Sequence, residues 1–128
     1  MIKNKAQQQY FRSKVLIASP AELVLMLYDG CIKFCNQAIS AISVHNIQQA
    51  NTNIQKAERI ITELKVKLNF KYEVAKDFDN IYTYLLIRLH DANIHKDADI
   101  LRECITHLRT TRETWVQVID TTKKKEVV

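Results

Sequence analysis

From Ile47 to Leu68 the apolar residues fall at alternating gaps of three and four: Ile47, Ala50, Ile54, Ala57, Ile61, Leu64 and Leu68. On a helix of 3.6 residues per turn this spacing makes a single stripe, with mostly polar residues around it. Asn46, with Gln49 three residues on, marks the start of that helix. Val74, Phe78, Ile81, Leu85, Leu89 and Ala92 predict another helix, which "IHKD" ends. Leu101, Cys104, Leu108, Thr111, Trp115 and Val118 predict a last one, from near Asp97 to the fraying "TTKKKEVV".

The segment from Pro20 to about Ile42 is different. Ser19 is a good N-cap, Pro20 suits the first helical position and Glu22 completes a capping box. Beyond this start, apolar residues occupy almost every side. One row runs Leu23, Leu27, Gly30, Phe34, Ala38, Ala41, and is expected to be the core stripe. A second runs Leu25, Tyr28, Ile32, Cys35, Ile39, Ile42, leaving only Asp29, Lys33, Asn36, Gln37 and Ser40 as a polar strip. A helix apolar nearly all round is a buried helix. In a small bundle one side of it stays wet, so the pattern predicts a further cover: the chain's own N-terminal arm, a second copy, or a foreign helix.

Long helices joined by short connections, roughly two to five residues each, must turn back on one another. The expected fold is therefore all-α, an antiparallel up-down-up-down four-helix bundle over residues 19–122. A partly flexible N-terminal arm (residues 1–18) precedes it, and a disordered basic tail (residues 123–128) follows. The arm's apolar content is Tyr10, Phe11, Val15, Leu16 and Ile17. Val66 and Ile87 lie opposite their stripes, where polar residues are expected.

Composition agrees with one helical domain. The 128 residues are 47% apolar and include one glycine and one proline, too few for hairpins or phosphate-cradling loops. Three cysteines, Cys31, Cys35 and Cys104, are an odd number without disulfide-framework spacing, which suits a reducing compartment. The four-residue run Val15 to Ala18 is too short for a signal peptide, and no stretch is apolar enough for a membrane span. The expected location is the cytosol, without stable membrane insertion. The net charge of +5 invites a nucleic-acid reading, but residues 1–19 hold Lys3, Lys5, Arg12 and Lys14 and no acid, so the body is nearly neutral. No nucleic-acid partner is expected.

Few residues suggest chemistry. Cys31 and Cys35 share a helical face, yet lack the spacing and second pair of a zinc site, and small core-packing residues are the simpler reading. Glu103 and His107 are four apart rather than the three of a di-iron bundle, and have no second copy. His90, His95 and His107 are expected on the surface. Hydrolase-elbow, zincin and P-loop motifs are absent. No catalysis, cofactor or metal is expected. Tyr82 and Trp115 fall on or beside core stripes, as packing anchors.

"SPAELVLMLYDGCIKF", followed by "NIQQANTNIQKAERIITELKVKL", "IYTYLLIRLHDANIHKD" and "LRTTRETW", resembles the FliS family of flagellar secretion chaperones. The likeness runs from Tyr10 to about Val118. Tyr10, Leu23, Met26, Leu27, Tyr28 and Gly30 match the family's arm and first-helix pattern; Tyr82, Tyr84, Arg88, Leu89, Ala92 and Asn93 match its third-helix pattern. Phe11 and Arg12 depart from it, as does the glycine-free "NFKYEVAKDFDN". The resemblance implies a cytosolic bundle that binds the disordered C-terminal segment of flagellin, blocks premature polymerisation and assists type III export. It also implies contacts with export-gate components, and an arm that shares the client's groove. The residues expected to contact a partner are Tyr10 and Leu16 of the arm, Leu25, Tyr28 and Ile32, then Ile60 and Val66, then Tyr84 and Ile87. The alternative is a self-associating helical scaffold or adaptor, a homodimer without a flagellin client.

Overall fold

Ser19 starts the first helix as its sequence predicts. In the computed structural model, which describes residues 19–121, the Glu22 amide donates to Ser19 Oγ at 3.2 Å and the Ser19 amide donates to Glu22 Oε1 at 2.9 Å. This reciprocal cap satisfies two of the free N–H groups at the start of α1 (Pro20–Ser43) and contributes about 1 kcal/mol. Three more helices follow: α2 (Ile47–Val66), α3 (Val74–His95) and α4 (Ala98–Thr121). The Asn46 side chain accepts from the Gln49 amide at 3.1 Å, and Asp97 Oδ1 accepts from the Asp99 and Ile100 amides at 2.9 and 3.3 Å. The arm, including Tyr10 and Leu16, and the basic tail lie outside the described residues.

Each helix packs on the next and α4 closes on α1, giving the antiparallel four-helix bundle that the pattern predicts. Two of the three turns are short. With no glycine to hand, His45 and Lys96 take the left-handed conformation at φ 58° and 49°. Each such residue costs about 1 kcal/mol, which the fixed reversal of the chain offsets. Residues 67–73 make a longer connection than expected, because Leu68, beyond the end of α2, is buried and Tyr72 packs against the core.

The core corrects the sequence reading of α1. Its buried line is Val24, Tyr28, Cys31, Cys35, Ala38 and Ala41, between the two apolar rows rather than along the first of them. With α2 on one side and α4 on the other, the line bisecting those rows points to the bundle axis. Leu23, Leu27 and Phe34 are left on one shoulder, and Leu25, Ile32 and Ile39 on the other. In α3 the phase shifts by one residue at two places, so Ala75 and Tyr82 are buried where Val74 and Ile81 were expected. The α2 stripe is buried from Ala50 onward, whereas Ile47, the first helical residue, is exposed.

The core is graded along its length. Near the start of α1 it is aromatic: Phe78 meets Trp115 edge-on at 5.7 Å and Tyr82 at 6.1 Å, and the Trp115 indole N–H donates to the Ala21 carbonyl at 3.4 Å. Toward the α1–α2 turn it narrows to Ala38, Ala41, Ala50 and Ala92. Between these ends a β-carbon on Gly30 would stand 3.3 Å from Ile60 Cδ1, so the glycine lets α1 and α2 approach closely.

Tyr28 was expected to face a partner, but it is 0% exposed and its hydroxyl hydrogen-bonds the Tyr82 hydroxyl inside the core. The reason is reciprocal satisfaction: a buried phenol needs a polar partner, and each ring supplies the other's. Burial pushes both phenols up, Tyr82 to about 12. Tyr28→Phe is expected to cost about 1–3 kcal/mol, because it strands the Tyr82 hydroxyl. Adding Tyr82→Phe should recover much of that loss. A double-mutant cycle in urea should therefore give a coupling of about 1 kcal/mol or more, and additive losses would show the hydroxyls to be independent.

Candidate functional site

The two shoulders of α1 form grooves with its neighbours. On the α2 side, half-buried Leu23, Leu27 and Phe34 face half-buried Ile60, and Lys56 Nζ sits 5.3 Å from the centre of the Phe34 ring. On the α4 side, Leu25, Ile32 and Ile39 continue the face of Ala21, whose carbonyl accepts from Trp115. Ile105 and Val116 of α4 stand on the far wall, and Arg112 spans the groove to Asp29 with bonds of 2.8 and 3.2 Å. Between the shoulders runs the polar strip that the sequence predicts, interrupted by Met26. Amphipathic helices commonly dock in such shallow apolar channels beside a rigid helix.

The remaining expected contact residues lie elsewhere. Val66, 71% exposed, projects outward at the end of α2, and Ile87, 57% exposed, projects outward from α3. Tyr84 lies on the α4 side of α3, where its hydroxyl donates to Glu103 Oε2. Arg88 donates to the other oxygen of that carboxylate through Nε at 3.0 Å, and His107 lies 3.3 Å from Oε2. The Tyr84 hydroxyl and the Arg88 guanidinium hold Glu103 below the usual carboxylate range, against the opposing effect of burial. The bond to Glu103 raises the Tyr84 phenol in turn. These side chains brace α3 against α4 and leave Tyr84 partly exposed, its ring nearly perpendicular to that of His107.

The expected partner residues are therefore not one surface. Leu25 and Ile32 share the α1/α4 groove, Ile60 belongs to the α1/α2 groove, Val66 and Ile87 sit on outer faces, and Tyr28 is in the core. Sequence reasoning missed Leu23, Leu27 and Phe34, which it placed in the core stripe. The signal that identifies them is the width of the apolar arc on α1, too broad for one buried line.

The thiols offer no reactive group. Cys31, Cys35 and Cys104 are all buried and free, and Cys31 Sγ contacts the Ala57 carbonyl at 3.6 Å. Contact with Cys35 and burial raise the Cys31 thiol well above its ordinary value, and burial raises Cys104 to about 12. Neutral thiols of this kind are packing residues. Among the described residues, no helix is long and apolar enough to cross a membrane.

Comparison with known proteins agrees with this architecture. A flagellar secretion chaperone FliS of Bacillus subtilis is 37% identical over 115 residues, covering 90% of this chain and 86% of its own. The flagellar secretion chaperone FliS of Campylobacter jejuni is 31% identical over 92% of this chain and 94% of its own, and that of Escherichia coli K12 is 30% identical over 80% and 78%. A solved structure described as a crystal structure of a flagellar chaperone from bacteria superposes with a TM-score of 0.73. It covers 91% of this chain and 97% of its own at 17% identity, a likeness of fold. A sequence model of the family described as "Flagellar protein FliS" matches residues 2–122. On that match and those relatives, this chain belongs to the FliS family.

Proposed function

We propose that this protein binds the disordered C-terminal segment of flagellin in the bacterial cytosol, keeps it from polymerising prematurely and assists its type III export. The observation that carries the reading is α1, apolar and only half-buried on both shoulders, in a chain of a family whose relatives are flagellar secretion chaperones. Ordering a disordered client typically costs about 2–5 kcal/mol, so it must bury on the order of 1,000–3,000 Å² in return. A bundle this small reaches such an area by being wrapped. The α1/α4 and α1/α2 grooves supply the apolar floor, Val66 and Ile87 extend the contact outward, and the arm with Tyr10 and Leu16 shares the α1 surface with the client. Delivery to export-gate components follows once the segment is held.

The test is calorimetric titration with the C-terminal segment of the flagellin made in the same cell, with circular dichroism in parallel. Micromolar or tighter binding with helix gained beyond the sum of the parts is expected. Absence of binding, together with a dimer by sedimentation, would assign the shoulders of α1 to a second copy.

A further inference from the structure

The α1/α2 groove changes character along its length. Around Leu27, Phe34 and Ile60 it is apolar. Toward the α1–α2 turn it becomes a depression walled by Gln37, Ser40, Gln49 and Asn53, with Lys33 and Lys56 at its edge and no acidic residue among the described residues that line it. Both lysines are exposed, and neither forms an ion pair with another described residue. Asn53 is 2% exposed; its Nδ2 donates to the Gln49 carbonyl at 3.0 Å, while its Oδ1 has no hydrogen-bond partner among the described residues. One end of the groove thus offers apolar contact, and the other offers two positive charges.

We propose that the α1/α2 groove takes an acidic amphipathic helix of the client in one orientation, with its apolar side chains over Phe34 and Ile60 and a carboxylate between Lys33 and Lys56. This rests on the chaperone reading and adds the chemistry and direction of the bound segment. Leu27 and Gln37 are ten residues apart on α1, about 15 Å, so the groove fits a segment of roughly three turns. Charge selects this occupant over the others. The arm carries Lys3, Lys5, Arg12 and Lys14 and no acid, so it would bring like charge to the lysines. A second copy docking groove to groove about a two-fold axis would bring a second pair of the same lysines into the interface. An acidic helix meets both lysines with opposite charge.

The experiment titrates the flagellin C-terminal segment, and a version with its acidic residues changed to amides, into the full-length protein and its Lys33→Glu/Lys56→Glu variant. Lys56→Met keeps the aliphatic stem over Phe34 without the charge, and Lys76→Glu, on the outer face of α3, controls for net charge. The double reversal is expected to weaken the acidic segment about tenfold, through loss of two charge pairs and gain of two repulsions, with the gap closing at high salt. The amide version should bind the unmodified protein weakly and ignore the reversal; Lys76→Glu should change nothing. If the reversed variant binds the acidic segment within twofold of the unmodified protein, the orientation is wrong while the chaperone reading stands. If the segment fails to bind the unmodified protein, both fall. A free protein that is dimeric until the lysines are reversed would give the groove to a second copy and overturn the proposal.

Discussion

Leu64→Asp is expected to unfold this protein, and Val66→Asp, two residues later on the same helix, is expected to leave it folded. Leu64 is 1% exposed and sits in the core stripe of α2, where an aspartate has no described cation to meet it. Either the carboxylate is buried charged or it takes up a proton and is buried neutral, and the lost leucine packing adds about 2–5 kcal/mol of its own. Together these approach the whole stability of a typical domain, about 5–15 kcal/mol. Far-UV circular dichroism at room temperature should therefore show the helices of Leu64→Asp largely lost. Val66 is mostly out in water, and exposed substitutions of this kind usually stay within about 0.5 kcal/mol. Its melting curve should overlay that of the unmodified protein, while its affinity for the flagellin segment falls. Two folded, fully competent variants would mean that the phase of α2 is wrong.

Trp115→Ala carries the next largest expected effect, a loss of about 3–5 kcal/mol measured by urea denaturation. The indole is 3% exposed and joins three helices at the wide end of the core. Its ring meets Phe78 of α3 edge-on, and its N–H donates to the carbonyl of Ala21 in the first turn of α1. Truncation opens a large cavity and also frees that carbonyl, so the start of α1 should loosen before the rest. Hydrogen exchange would then rise first in α1 near Ala21, Glu22 and Leu23. Trp115→Phe should restore most of the stability and little of this local protection. Since Trp115 is the only tryptophan, the variants must be followed by circular dichroism rather than emission.

Where the hydrophobic pattern has one clear phase, the sequence predicts the structure closely. The α2 stripe, its Asn46 cap and the Ser19 capping box all rest on local rules of spacing and hydrogen bonding, which act within a turn or two of the helix. On α1 the same rules lose their grip. When most positions are apolar, any of several lines could point inward, and only the placement of α2 and α4 decides among them. Tyr28 shows the consequence: its partner hydroxyl lies on Tyr82, 54 residues away, and no local pattern announces such a pair. Asn53 was equally hidden, since a buried amide is polar in any hydropathy count. The grooves themselves were legible as a surplus of apolar residues on α1, but of their walls only Ile60 was expected, because Lys56 and Val116 join them only through tertiary packing.

The three core thiols give the bundle an internal clock. Cys31 and Cys35 come from α1 and Cys104 from α4, all shut away from solvent, so an alkylating reagent can reach them only when those helices part. The labelling rate under native conditions therefore counts openings of the bundle interior, without any probe being added to the chain. A client that settles into the outer grooves should slow that clock, by holding α1 in place. A client that inserts a helix between α1 and α4 should make it run faster.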